Sequence, residues 1–135
     1  MPVAVRLEWP EALVDDAGAA LGEALESELE AMRGEAGTDI RINQLKLKDR
    51  RQLRDRLAGR GMKCHPTKLS PLGIRMERRV RVEDSPEFRG GQFEIQDEAS
   101  QIVALLCDAR PGMQVADICA GAAGKSLVMA ARMEN

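Results

Sequence analysis

The residues best suited to chemistry in this sequence lie in one run, Val115-Ala116-Asp117-Ile118-Cys119-Ala120-Gly121-Ala122-Ala123-Gly124-Lys125-Ser126. An apolar strand leads into a tight loop of small side chains and then into a helix. A loop of that composition lets a ligand come close to the backbone and meet the unpaired N–H groups of a helix N-terminus. Three ligand classes use such a turn. A dinucleotide favours Gly-x-Gly-x-x-Gly, and only Gly121 and Gly124 are in place. A nucleoside triphosphate favours Gly-x-x-x-x-Gly-Lys-Ser/Thr. Gly124-Lys125-Ser126 fits the end of that pattern, but Cys119 stands where its first glycine belongs. S-adenosylmethionine also lies over a loop of this kind, and a plain strand–helix turn packed with alanines has the same composition. Spacing alone does not choose among these.

Other chemistry is sparse. Cys64, Cys107 and Cys119 show no CxxC spacing, and His65 is the one histidine. Cys64 and His65 do not make a four-ligand metal site, so no metal is expected. Scattered thiols in odd number fit a reducing compartment. The start, Met1-Pro2-Val3-Ala4-Val5-Arg6-Leu7-Glu8, lacks the pattern of a secretory leader. No stretch approaches the roughly 20 apolar residues of a membrane span. The expected location is cytoplasmic, without a membrane partner. Aromatic residues number three, Trp9, Phe88 and Phe93, so base stacking has little to work with.

The elements that position this loop are read from periodicity and charge. Residues 1–40 carry two basic and ten acidic side chains, residues 41–82 fourteen and three, and residues 83–135 four and nine. A basic middle between acidic flanks suggests a polyanion partner, most simply nucleic acid. In the first segment, 1–37, Trp9-Pro10-Glu11 opens a helical stretch with Leu21, Leu25, Leu29 and Met32 at helical spacing, ended by Gly34 and Gly37. In the second, 38–88, Asp39 to Asn43 alternates as a strand. Asp49 caps a helix to about Ala58, with Leu53 and Leu57 inward and Arg50, Arg51, Arg54, Arg56 and Arg60 outward. Short strands follow at Gly73 to Glu77 and Arg79 to Val82, giving a small α/β sandwich whose sheet is covered on one face. In the third, 89–135, a strand from Gln92 to Ile95 precedes a helix from Gln96 to Cys107 with Ala99, Ile102, Val103 and Leu106 apolar. The Val115 to Ile118 strand, the loop and a helix from about Lys125 complete it.

Gly91-Gln92-Phe93-Glu94-Ile95-Gln96-Asp97-Glu98-Ala99-Ser100-Gln101 resembles the segment that opens the methyltransferase domain of the bacterial Sun (Fmu) RNA cytosine-5 methyltransferases. Asp117 to Lys125 resembles their Asp-x-Cys-Ala-Ala-Pro-Gly-Gly-Lys cofactor loop, and Arg41-Ile42-Asn43 with Pro71-Leu72-Gly73 is similar to their small RNA-binding domain. The resemblance is strong from Gly90 onward and looser before it. It implies an α/β fold in three parts: acidic N-terminal helices, a basic α/β RNA-binding module, and the incomplete start of a Rossmann-like S-adenosylmethionine-dependent domain. The implied activity is methyl transfer to C5 of a cytosine, most simply in ribosomal RNA. The alternatives are a non-enzymatic RNA-binding module and a divergent P-loop nucleotide-binding protein.

The same resemblance implies that Cys119, Ala120, Gly121, Ala122, Ala123, Gly124 and Lys125 contact the cofactor, that Asp117 anchors the strand end near its methionine amine, and that Gln96 to Ser100 shape the pocket wall. Arg41, Asn43, Arg50, Arg51 and Arg54 are the candidate RNA contacts. Ala122 replaces the family's proline and Ala123 the first of its two glycines. A methyl group at a position needing φ > 0 costs about 1 kcal/mol or more, so weak cofactor binding is expected. The family's catalytic cysteines lie in Thr-Cys and Pro-Cys pairs, and neither dipeptide occurs here. No catalytic residue is assigned, and the chain alone is expected to be inactive. With its neighbouring strands missing, the C-terminal third is expected to self-associate through open strand edges.

Overall fold

The structure is a computed structural model and describes residues 1–134. The chain divides into two compact units, Met1–Ala36 and the remainder from Gly37.

The first unit is helical. α1 spans Val3–Leu7, α2 Glu11–Leu21 and α3 Leu25–Met32, with a single 3-10 turn at Gly22–Ala24 between α2 and α3. Pro2 and Pro10 stand immediately before α1 and α2, where a missing N–H has no consequence. The stripe from Leu21 to Met32 does not belong to one helix. Gly22 takes φ +54, in the left-handed region open to glycine, and divides it. Leu29 is buried and Met32 lies at the surface.

The second unit is built on a four-stranded antiparallel sheet in the order β2-β3-β1-β4, where β1 is Asp39–Ile42, β2 Cys64–Pro66, β3 Gly73–Met76 and β4 Phe93–Ile95. Ile40 lies opposite Ile74 and Ile95, while Arg41 lies opposite Gly73 and Glu94. Alternation therefore gives β1 an aliphatic face and a polar one. α4 (Arg50–Gly59) packs on β2 and β3, and its Leu53 and Leu57 join Ile40, Ile42 and Ile74 in the core. The Asp49 carboxylate accepts from the Arg51 N–H at 2.8 Å, so the expected cap is present. α5 (Pro86–Arg89) follows, capped by Ser85. α6 (Glu98–Leu106) lies over β1 on the face that holds Gly73, and α7 (Gly124–Met133) packs against α6.

Several expectations are corrected. All four residues of β1 are buried, so the sheet is covered on both faces rather than one. The second cover comes from α6, within the segment read as the methyltransferase start, and β4 from that segment completes the sheet. The break read after residue 88 is thus crossed by shared strand pairing. β2 has no counterpart in the sequence pattern, and Pro66 ends it at the sheet edge, where its missing donor is tolerated. Arg79 to Arg81 is irregular chain, and Val82 opens a 3-10 turn at Val82–Asp84. On α6 the apolar face is turned outward: Gln101 and Ala104 are buried, whereas Val103 and Leu106 are exposed. Val115 to Ile118 forms no strand, because no strand among the described residues pairs with it.

Candidate functional site

The loop before α7 is held by one carboxylate. Asp117 accepts the Cys119 N–H through Oδ1 at 3.2 Å and the Ser126 hydroxyl through Oδ2 at 2.7 Å. These bonds tie the entrance of the loop to the first turn of α7. Inside it, the Ala123 N–H donates to the Ala120 carbonyl at 2.8 Å. Gly121 has φ +55 and open space where a side chain would stand. Ala123 has φ +61, the left-handed conformation in which a methyl group is strained. It precedes α7 without a side-chain cap, so the first N–H groups of the helix are not satisfied by a neighbouring side chain. Cys119, Gly121 and Ala122 are exposed, and Ala120, Ala123, Gly124 and Lys125 half-buried. The structure therefore brings all eight expected cofactor residues around one helix start. Asp117 serves the loop itself with both oxygens.

The five expected RNA contacts are not brought together. Arg41 is 2% exposed. Its Nε donates to Gln96 Oε1 at 2.6 Å and a terminal nitrogen to the Ile42 carbonyl at 3.3 Å. Burial lowers its guanidinium pKa, partly countered by the charge of Glu94. As an RNA contact Arg41 is a misreading: strand alternation sends it beneath α6 rather than to solvent. Asn43 is also committed, its amide donating to the Gly91 carbonyl at 3.0 Å and its oxygen accepting the Leu45 N–H at 3.0 Å. Arg50 gives one nitrogen to three carbonyls, of Ser70 (2.6 Å), Gly73 (3.0 Å) and Thr67 (3.3 Å), and so holds the turn before β3. Arg54 pairs with Asp55 at 2.6 Å. Arg51 is exposed and has no side-chain partner among the described residues, as is the case for Lys48, Lys63, Lys68, Arg79 and Arg81.

The polar seam between the sheet and α6 escaped the sequence reading. Buried Asp39 makes a two-pronged pair with Arg75, at 2.7 Å for each bond, and accepts the Glu98 N–H at 3.1 Å. Glu98 accepts the N–H groups of Leu69 (2.5 Å) and Ser70 (2.8 Å). Those bonds, that from Ser70 foremost, hold its carboxyl below the usual glutamate range. Fully buried Gln101 receives the Ser70 hydroxyl at 2.6 Å and donates to the Gln96 carbonyl at 2.7 Å. A polar residue on the core side of an amphipathic helix was the signal available for this seam. Burial raises the pKa of the Cys64 thiol, the opposite of an activated nucleophile. No group of residues able to hold a metal occurs among the described residues.

An antiparallel sheet covered by α4 on one face and α6 on the other makes this a mixed α/β module. Residues 9–83 match the family described as "Methyltr_RsmF/B-like, ferredoxin-like domain". The chain is 32% identical over 118 residues to a ribosomal RNA small subunit methyltransferase B of Xylella fastidiosa, covering 87% of this chain and 27% of that protein. It is 34% identical over 109 residues to the 26S rRNA (cytosine-C(5))-methyltransferase nsun-1 of Caenorhabditis elegans, covering 79% of this chain and 16% of that one. The crystal structure of a methyltransferase homolog protein from Pyrococcus horikoshii superposes with a TM-score of 0.81 at 27% identity, over 97% of this chain and 43% of that chain. The chain belongs to the RsmF/B-like (Sun) methyltransferase family and corresponds to its N-terminal part. It spans about a quarter of the Xylella relative's length.

Proposed function

We propose that this chain supplies the RNA-holding module and half of the cofactor site of an S-adenosylmethionine-dependent RNA (cytosine-5) methyltransferase acting on ribosomal RNA. The observation that carries the proposal is the loop from Asp117 to Lys125, whose small residues and uncapped helix start are joined through α6 to a basic sheet module. The loop suits the cofactor in three respects. Gly121 leaves open space, the α7 N–H groups are free of side-chain caps, and Asp117 fixes both ends. Cys119 to Lys125 would line the methionine end of the cofactor, whose methyl group is the electrophile when bound. Asp117 positions this loop, and Gln96, placed beside Gly124, closes its inner wall.

The chain's own part in the reaction is to bind and orient. Exposed cations of residues 41–82 hold RNA phosphates, so affinity falls steeply with salt and shows little sequence preference. Attack on a pyrimidine ring needs an activated thiolate. Cys64 lies in β2, Cys107 at the end of α6 and Cys119 in the loop, and none follows a threonine or a proline, so this chain alone is expected to transfer no methyl group. Calorimetry with S-adenosylmethionine and with magnesium-ATP tests the loop: weak binding of the former and none of the latter is expected. Tight magnesium-dependent ATP binding would replace this reading with that of a P-loop protein. Filter binding to ribosomal RNA fragments at two salt concentrations tests the module, and salt-independent affinity would refute it.

A further inference from the structure

Beside the start of α4 runs a groove that neither the loop nor the sheet explains. It consists of two adjoining cavities of about 540 and 520 Å³ that share Gln44, Lys48 and Arg132. That is within the range of small-ligand pockets. Lys48, Arg50, Arg51 and Arg132 face it, against two carboxylates, Asp49 and Glu134. Asp49 is engaged with the Arg51 N–H, and Arg50 with the turn carbonyls. Arg132 also lies 3.5 Å from Asp108. Two polar atoms in this groove are shielded from solvent and have no hydrogen-bond partner, Gln44 Oε1 and Arg132 Nε. One is an acceptor and the other a charged donor. Unpartnered polar atoms of this kind are uncommon in folded proteins.

We infer that this groove binds one ribose-phosphate unit of RNA, with Lys48, Arg51 and Arg132 on the phosphate and Gln44, its side chain turned out into the groove, accepting the ribose 2′-hydroxyl. The inference rests on the RNA reading above and adds to it a place and a selectivity. A phosphate supplies the acceptor that Lys48, Arg51 and the Nε of Arg132 lack. Gln44 Oε1 needs a donor close to that phosphate. In a nucleic acid the 2′-hydroxyl is such a donor, and DNA has none. The groove also joins the sheet module to the end of α7. A nucleotide seated there touches both the element that carries the basic helix and the element that carries the cofactor loop.

The test is fluorescence anisotropy of the full chain with labelled single-stranded RNA and DNA of identical sequence. Wild type is expected to prefer RNA. Gln44→Ala is expected to lower RNA affinity about three- to ten-fold, the worth of one hydrogen bond, and to leave DNA affinity unchanged. Lys48→Ala combined with Arg51→Ala is expected to weaken both, and to reduce the slope of log affinity against log salt by about 0.7 for each cation removed. Lys63→Ala with Lys68→Ala removes the same charge elsewhere and is expected to have the smaller effect. Arg132→Ala is read beside its circular dichroism spectrum, and if it unfolds the Lys48 and Arg51 pair decides. An RNA-to-DNA ratio unaltered by Gln44→Ala, or equal losses from the two charge pairs, overturns the groove while leaving general RNA binding intact. A wild-type chain that binds no RNA overturns the wider reading instead.

Discussion

The β2–β3 hairpin and the stretch from Cys107 to Ala123 belong to the same unit but are ordered in different ways. In the hairpin, Arg50 gathers three carbonyls, Glu98 takes two turn N–H groups, and Gly73 admits Thr67 and Gln101 into space that a side chain would fill. In the later stretch, Met113, Val115 and Ile118 are exposed, no strand pairing forms among the described residues, and Asp117 is the side chain that ties the entrance of the loop to α7. The turn of the hairpin is fixed by partners from elements distant in sequence. The loop is fixed by bonds to residues within ten positions of itself. A loop held only locally can change shape at little cost to the rest of the fold.

Four changes sharpen or break this contrast. Leu53→Ala, at a fully buried position on α4, is expected to lower stability by about 3 kcal/mol, whereas Ile118→Ala, 95% exposed, changes it by less than about 0.5 kcal/mol. Urea denaturation of both would dissolve the contrast if the two losses were equal. Gly73→Ala should cost roughly 1–3 kcal/mol, because its methyl group would stand 2.2 Å from Thr67 Oγ1 and 2.9 Å from Gln101 Oε1. A midpoint equal to wild type would mean that the seam yields. Ala123→Gly should raise stability by about 0.5 kcal/mol by relieving φ +61, and should tighten cofactor binding in the same direction. Loss of stability at that site would show that the methyl group makes a useful contact.

The fourth change concerns pH. The folded-state pKa of Glu98 lies below its ordinary value, so its contribution is fully present above the unfolded pKa of about 4.3 and disappears as pH falls through the lower folded value. The stability gap between wild type and Glu98→Gln should therefore be widest near neutral pH and close in acid. A gap that stays constant across that range would mean that the charge on Glu98 plays no part.

Much of the architecture was legible because local rules and tertiary packing agree. Asp49 before Arg50-Arg51-Gln52-Leu53 is a cap followed by a helix, and Ile40 with Ile42 is the aliphatic face of a strand; both stand in the structure. The failures arose where a partner distant in sequence decides. Arg41 reads as a surface cation in a basic stretch, yet α6, more than fifty residues later, covers it. Val103 and Leu106 read as a core face, yet bonds from Gln101 to Ser70 and Gln96 turn α6 the other way. Arg79 to Val82 alternates like a strand, but β2 already occupies the pairing edge of β3 and β4 that of β1. At the site, the loop residues were readable from their small size and order. The seam was not, because its members are ordinary Asp, Glu and Gln residues that become partners only once the sheet has formed.

The strand order carries a consequence for synthesis. β1 lies between β3 and β4, and β4 is the last strand of this sheet in chain order. As the chain leaves the ribosome, β1, β2 and β3 must wait as an incomplete sheet, with Arg41 uncovered and one edge of β1 open, until α6 has emerged. Closing the contact between Ile42 and Phe93 is a long-range step of the kind that slows folding. The basic module therefore becomes complete only as α6 emerges, so that a nascent chain gains its closed sheet and the approach to the loop before α7 together rather than in turn.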